Sequence, residues 1–540
     1  MRNYPLIWCT ILFTALSFFG FSQETATKPA RDWFLLDPET DLVQGVSVEK
    51  AYASLLKGRP SKTIIVAIID SGIDIDHEDL KSVIWTNPGE VAGNGIDDDK
   101  NGYVDDIHGW NFIGGKSGNV NEDNLELTRR YAKLEKRFGT IAANKVPRKQ
   151  RKDYEEYQKV KDKFIRLRDK NKSEYDYFVK MNRNLKMSTD TLKAVLGVER
   201  LTRATVDTFR ASNPTRSFAK GFILYILRNS EDTDDMEKIQ KDVTEAVDHY
   251  RVLVEYGYNT EYDSRQIVGD DPNNPRERYY GNNDVRGTES LHGTHVAGIV
   301  AADRTNDIGI KGICDNVRIM SVRAAPNGDE RDKDVANAIR YAVDNGARVI
   351  NMSFGKSYSP DKDVVDEAVA YAEKKGVLLI HASGNESNNN DEEGNFPSPR
   401  YRNGKEAANW IEVSASGAGN DKKLPADFSN YGKKTVDLFA PGVDIYSAAP
   451  ENKYEEQSGT SMASPIVAGV AALLWSYFPD LTAPQVADII KKSTRKFGGL
   501  KVKQPGGGEV MFDMLSRTGG VVNAYEAIAL AIKLQSTRIE

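Results

Sequence analysis

Gly459-Thr460-Ser461-Met462-Ala463-Ser464-Pro465 runs directly into Ile466-Val467-Ala468-Gly469-Val470-Ala471-Ala472-Leu473-Leu474-Trp475. The apolar run is too rich in Ala and Leu, and too long, for an ordinary strand, so it predicts a buried helix with Ser461 at its entrance. Pro465 fits within a first turn, where a missing N–H costs nothing. The unpaired amides and positive dipole end of such a helix would face an anion formed beside Ser461, and acyl transfer makes such an anion.

A serine hydroxyl is a weak nucleophile unless a base takes its proton, and the base works best when a buried carboxylate fixes its tautomer. The chain offers six histidines. His292 stands in Leu291-His292-Gly293-Thr294-His295-Val296-Ala297-Gly298, a second helix start rich in small residues. Upstream, Ile64-Ile65-Val66-Ala67-Ile68-Ile69-Asp70 reads as a buried β-branched strand ending on an acid. Beyond His292, strands and helices alternate: strand Val317–Arg323, helix Asp334–Asn345, strand Ala347–Gly355, helix Asp363–Lys375. That alternation predicts an α/β fold, a mostly parallel sheet with helices on both faces and its ligand crevice at the strand carboxyl ends, where Asp70, Ser353-Phe354-Gly355 and Asn385 fall.

These segments, in the order Asp70, His292, Ser461, resemble the subtilisin-like serine peptidases, or subtilases, over roughly residues 45–115 and 280–530. The resemblance implies Asp70 as orienter, His292 as general base and acid, and Ser461 as nucleophile, with His295 a packed helix residue. It implies that Asn385, in His381-Ala382-Ser383-Gly384-Asn385, donates its side-chain amide to the oxyanion together with the Ser461 backbone N–H. It makes Ser353, Phe354 and Gly355 an edge that pairs with an extended peptide, and Ala382, Ser383 and Gly384 a second substrate-binding stretch. Lys356 stands where the family often has glycine. Peptide or protein substrates follow, and no catalytic metal.

Other classes share some features. A metallohydrolase could use His292 and His295, but no Glu follows His292 and an obvious third ligand is missing. An inactive peptide-binding relative would lack a catalytic residue, and none is lost. A peptide ligase would share every motif and differ only in its product.

Around this core the chain divides into an export signal (1–22), an N-terminal arm (23–60), a first catalytic part (61–120), an α-helical insertion (121–280) and a second catalytic part (281–540). The signal reading rests on Arg2 followed by an uncharged apolar run and small residues near Ser22. The run is short for a membrane span, so the expected product is exported, periplasmic or extracellular, with no stable membrane insertion after cleavage. With 28% charged residues and a net charge of −6, nothing points to nucleic acid. Beyond the signal only Cys314 remains, so no internal disulfide is expected. The arm has no room for the inhibitory prodomain that many subtilases carry.

The insertion is dense in Lys, Arg, Glu and Tyr, with apolar residues at helical spacing: Tyr157, Val160, Phe164 and Leu167, then Met236, Ile239, Val243 and Val247. Between it and Asp70, the run Asp97-Asp98-Asp99-Lys100-Asn101-Gly102-Tyr103 alternates acidic and amide groups before a glycine turn. It predicts a structural calcium loop built from Asp97, Asp99, Asn101 and the Tyr103 carbonyl. The competing reading is a solvated acidic turn. A fainter candidate surrounds Asn306-Asp307-Ile308-Gly309.

Overall fold

The computed structural model describes residues 29–229 and 236–537, so the expected export signal, Met1–Ser22, lies outside the described residues. Chain contacts divide the described residues into two compact units, 161–258 and the remainder.

The larger unit is built on a sheet of nine strands. Its spatial order is Arg495–Lys496, Gly520–Val521, Leu438–Pro441, Trp410–Ser416, Leu378–Ala382, Val349–Met352, Ile64–Asp70, Val317–Arg323 and Gly109–Asn111. Every neighbouring pair is parallel except the first, which is antiparallel. The strand ending on Asp70 is interior, third from one edge, with Ile64↔Val317 and Asp70↔Arg323 in register on one side and Val66↔Val349 on the other.

Side chains alternate across a strand, so a sheet covered on both faces needs apolar residues at every position. The Asp70 strand meets that demand: Ile64, Val66 and Ile68 enter one core and Ala67 and Ile69 the other. The first core holds the helices Leu291–Ala301 and Thr460–Tyr477, and the second holds Asp332–Asp344 and Lys362–Lys375. The Thr460–Tyr477 helix is apolar and long enough to cross a membrane, but 89% of it is buried inside the protein, as the central helix of a core. The N-terminal arm joins the same core through Trp33, Phe34 and Val46, a packing its mixed composition did not announce.

The Ser461 helix corrects one expectation. It begins at Thr460, so Pro465 lies in the second turn and removes an i→i−4 hydrogen bond that would have ended on the Ser461 carbonyl. The Ser353 hydroxyl lies 3.0 Å from that carbonyl and donates to it instead.

The smaller unit is helical. It contains most of the helix Arg151–Leu196, then Arg203–Thr208, Pro214–Asn229 and Met236–Val252. Leu185, Leu192, Ile223, Leu227, Ile239 and Val243 form its buried cluster. The predicted apolar stripe at Met236, Ile239 and Val243 is thus a packed helix face.

Candidate active site

Asp70 is the last residue of its strand and is 2% exposed. Its Oδ1 accepts the Ser71 backbone N–H at 2.8 Å and faces His292 Nδ1 at 2.7 Å. His292 is the second residue of its helix, and Gly293 beside it is required by space: a Cβ there would meet the Gly72 carbonyl oxygen at 2.1 Å. Burial of the imidazole disfavours its charged form, but the Asp70 charge and hydrogen bond outweigh this and raise the His292 pKa above the ordinary histidine value. His295 differs. It is fully buried, its Nε2 faces the Glu455 carbonyl, and burial pulls its pKa down to about 4, so it stays neutral.

Ser461 is the second residue of its helix, where a backbone N–H has no intrahelical partner. Its hydroxyl donates to the Ser353 carbonyl at 3.0 Å and makes no hydrogen bond to His292. Ser353 and Ser461 therefore exchange two bonds, each hydroxyl donating to the other's carbonyl. Ser353 Oγ also contacts Ser464 Oγ at 2.8 Å and accepts from Asn351 Nδ2 at 2.9 Å, which anchors the end of this strand to the nucleophile helix.

Asn385 is fixed by its oxygen. Oδ1 accepts the Thr460 N–H and the Thr460 hydroxyl, both at 2.9 Å. A backbone N–H can only donate, so this contact assigns the amide unambiguously and leaves Nδ2 as the free donor.

The two predicted substrate walls are held differently. Among the described residues no hydrogen bond occupies the amide or carbonyl of Phe354 or Gly355, which leaves a backbone edge open to another strand. On the other wall, Asn390, Asn395 and Asn430 each donate to the Ser383 carbonyl, at 2.8, 3.0 and 2.9 Å. Asn395 also donates to the Ala382 carbonyl at 3.2 Å, and its Oδ1 would lie 2.4 Å from a Cβ on Gly355, so it stands between the walls. Gly384 sits at a φ of +101°, where a side chain is strained. In the sequence Asn390, Asn395 and Asn430 read only as turn material, and nothing there marks them for this task.

The acidic loop is held by hydrogen bonds of its own. Both Asp97 oxygens accept backbone N–H groups, from Asn101 at 3.0 Å and Gly102 at 2.9 Å. Asn101 spends its oxygen on the Tyr103 N–H, and the Tyr103 ring is buried among Trp110, Phe112 and Tyr341. Of the predicted ligands, Asp99 alone joins a carboxylate cluster, with Glu90 and Asp106, whose ligand atoms lie within 4.8 Å of one another. The reason is local: short Asp and Asn side chains satisfy the amides of their own turn first. Burial drives Asp106 up to about 6 although Tyr341, Asn101 and Asn87 all donate to it. At the fainter candidate, Asn306 Nδ2 and the Ile310 N–H both bind the Asp79 carboxylate. Cys314 is buried and free, and burial pushes its thiol well above the usual range.

A family profile described as the subtilase family matches residues 61–508. Over 186 residues, 34% of this chain and 42% of the relative, the sequence is 46% identical to the thermophilic serine proteinase of Bacillus sp. (strain AK1). Thermitase of Thermoactinomyces vulgaris is 40% identical over 209 residues, 38% of this chain and 68% of its own. Subtilisin DY of Bacillus licheniformis is 36% identical over 210 residues, 38% of this chain and 71% of its own. The matched region thus spans less than half of the first relative and about two thirds or more of the others. With the profile covering most of its length, this chain belongs to the subtilase family.

Proposed function

We propose that this chain is an exported serine endopeptidase that hydrolyses peptide bonds of peptide or protein substrates through an acyl-enzyme on Ser461. The observation that carries the reading is the 2.7 Å contact of His292 Nδ1 with Asp70, made by segments 222 positions apart in the sequence. It leaves Nε2 of the ring as the free base.

The steps follow from the groups present. Ser461 Oγ turns from the Ser353 carbonyl toward His292 Nε2, loses its proton to it and attacks the substrate carbonyl carbon. The carbonyl oxygen becomes an oxyanion that receives Asn385 Nδ2 and the Ser461 N–H. His292, now cationic and stabilised by Asp70, returns the proton to the leaving amine as the C–N bond breaks. Water repeats the sequence on the ester, giving the acid and restoring the serine. The substrate lies along the open Phe354–Gly355 edge as an added strand.

The test is to incubate the purified protein and its Ser461→Ala variant with a diverse peptide pool and read every cut by mass spectrometry. Internal cuts made only by the unsubstituted protein are expected; cuts that survive Ser461→Ala overturn the assignment, and joined peptides instead of cut ones would mean a ligase.

Calcium is the proposed structural ion, held by Glu90, Asp99 and Asp106. The donor set fits a hard cation, since it offers three carboxylates, and Asp106 is buried against its own charge. Glu90, like Asp97, already accepts backbone N–H groups on both oxygens, from Asp98 and Asp99 on Oε1 and from Asp105 on Oε2, so an ion would use the acceptor site left on Oε2. The ion would contribute stability and no chemistry.

A further inference from the structure

Lys356 stands one residue beyond the open backbone edge and is only 5% exposed. A buried ammonium is tolerated when all three of its protons are taken up. Here the ammonium donates to the Glu330 carbonyl at 2.7 Å and to Glu126 Oε2 at 3.4 Å and is ion-paired with Asp332 Oδ1 at 2.8 Å, partners drawn from two separate parts of the chain. Burial would discharge the lysine, but the carboxylates around it, Asp332 foremost, overcome this and raise its pKa. Its backbone is pinned as well, bonded in both directions to Phe396 at 3.0 and 2.9 Å.

Each acceptor is itself fixed. Glu126, in the first turn of the helix Glu126–Phe138, is paired with Arg129 at 2.6 Å, and its N–H donates to Asp329 Oδ2 at 2.8 Å. Arg129 reaches the Asp329 carbonyl at 3.1 Å, while Arg331 takes Asp123 at 2.9 Å. Asp332 accepts Ser359 Oγ and the Asp361 N–H. The segment 327–332, the helix at the root of the insertion and the end of the substrate edge are therefore joined through one ammonium group.

We propose that Lys356 is a positioning residue for substrate binding: it sets the Phe354–Gly355 backbone edge at the place where an extended peptide can add to it, using the helix Glu126–Phe138 as its fixed point. It touches no reacting atom, and its effect is confined to substrate residues on the amino-terminal side of the scissile bond. This inference rests on the reading of that edge as peptide-binding.

Two substrates with the same leaving group separate the possibilities, one with a single residue before the scissile bond and one with four. In the unsubstituted protein the longer substrate is expected to have a KM about tenfold lower, the worth of one or two added backbone hydrogen bonds. In Lys356→Met/Asp332→Asn, which removes both charges together so that neither is left buried alone, that advantage should fall to about twofold or less, with kcat and the short-substrate KM within about twofold. Glu126→Gln keeps the side-chain shape and is read in the same way, should the double variant not fold. If the variants keep the advantage of length, the inference is overturned while the edge reading stands. Equal losses on both substrates would make Lys356 merely structural, which also overturns it. No advantage of length in the unsubstituted protein removes the edge reading and this inference with it.

Discussion

Thr460→Val isolates the clamp on Asn385. The substitution keeps the shape of the side chain and the Thr460 N–H, which holds Asn385 Oδ1 at 2.9 Å, but deletes the hydroxyl that makes the second bond at 2.9 Å. A neutral hydrogen bond contributes about 0.5–1.5 kcal/mol net, so the better-ordered donor should be lost by an amount equivalent to about 2- to 13-fold in kcat. Asn385→Ala removes the donor itself and should cost about 10²–10³, the size known for subtilisin's own oxyanion asparagine. If Thr460 acts on chemistry only through Asn385, the double variant should turn over no more slowly than Asn385→Ala alone. The hydroxyl also accepts the Gly384 N–H at 3.2 Å, so Thr460→Val should melt somewhat lower, and the assay belongs well below that melting temperature. Steady-state kcat and KM on one chromogenic peptide suffice for all four proteins. A further drop of fivefold or more when Thr460→Val is added to Asn385→Ala would refute the reasoning, as would a single Thr460→Val as damaging as Asn385→Ala.

Ser461→Ala, His292→Ala and Asp70→Asn should each lower kcat by several orders of magnitude while circular dichroism is unchanged, because the three act as one unit. The acid limb of kcat/KM should lie above the ordinary histidine value of 6.5, since the neutral base is required and its pKa is raised; in Asp70→Asn the limb should move to lower pH. The raised pKa also stabilises the fold at low pH, fully below the unfolded histidine value and lost as pH rises through the folded one, so Asp70→Asn should lose that acid-side increment in melting curves. Added calcium should raise the melting temperature, Asp106→Asn should erase most of the rise, and Asp97→Asn should lower the melting temperature equally with and without calcium. Replacing the stretch between Phe164 and Tyr258, whose rings lie 6.0 Å apart, by a short Gly/Ser linker should leave cleavage of small peptides intact, as measured on the chromogenic substrate; an insoluble product would mean that the core needs the insertion to fold.

The sheet was legible because its strands are buried on both faces. Ile64–Ile69 is a continuous apolar run, and Val317–Arg323 keeps Val317, Ile319, Met320 and Val322 buried around its polar residues; such β-branched segments have few alternative readings. The contact of Asp70 with His292 was legible as chemistry before it was legible as geometry, since a serine at a helix entrance asks for both groups. What escaped were arrangements in which one residue is satisfied by another outside its own element. The gap left by Pro465 is filled by Ser353, and the Ser383 carbonyl is held by three asparagines that resemble turn residues wherever they occur. The acidic loop was legible only in part: its spacing of acids also satisfies the turn itself, through Asp97, and Glu90, which joins Asp99 and Asp106 in the carboxylate cluster, lies outside the motif.

The interior position of the Asp70 strand has a consequence for how the protein comes to be made. Both of its partners, Val317–Arg323 and Val349–Met352, follow it by some 250 residues or more, as in the pairing of Ile64 with Val317. Pairings so distant are slow to form, because loop closure precedes any gain from contact. At synthesis rates of about 5–20 residues per second, the first strand waits roughly 13–50 s for its neighbour to be translated. Ser461 comes later still, so a growing chain has neither sheet nor nucleophile while most of its own length is unfolded. Chain order thus leaves a long interval in which a β-branched apolar strand is exposed to aggregation.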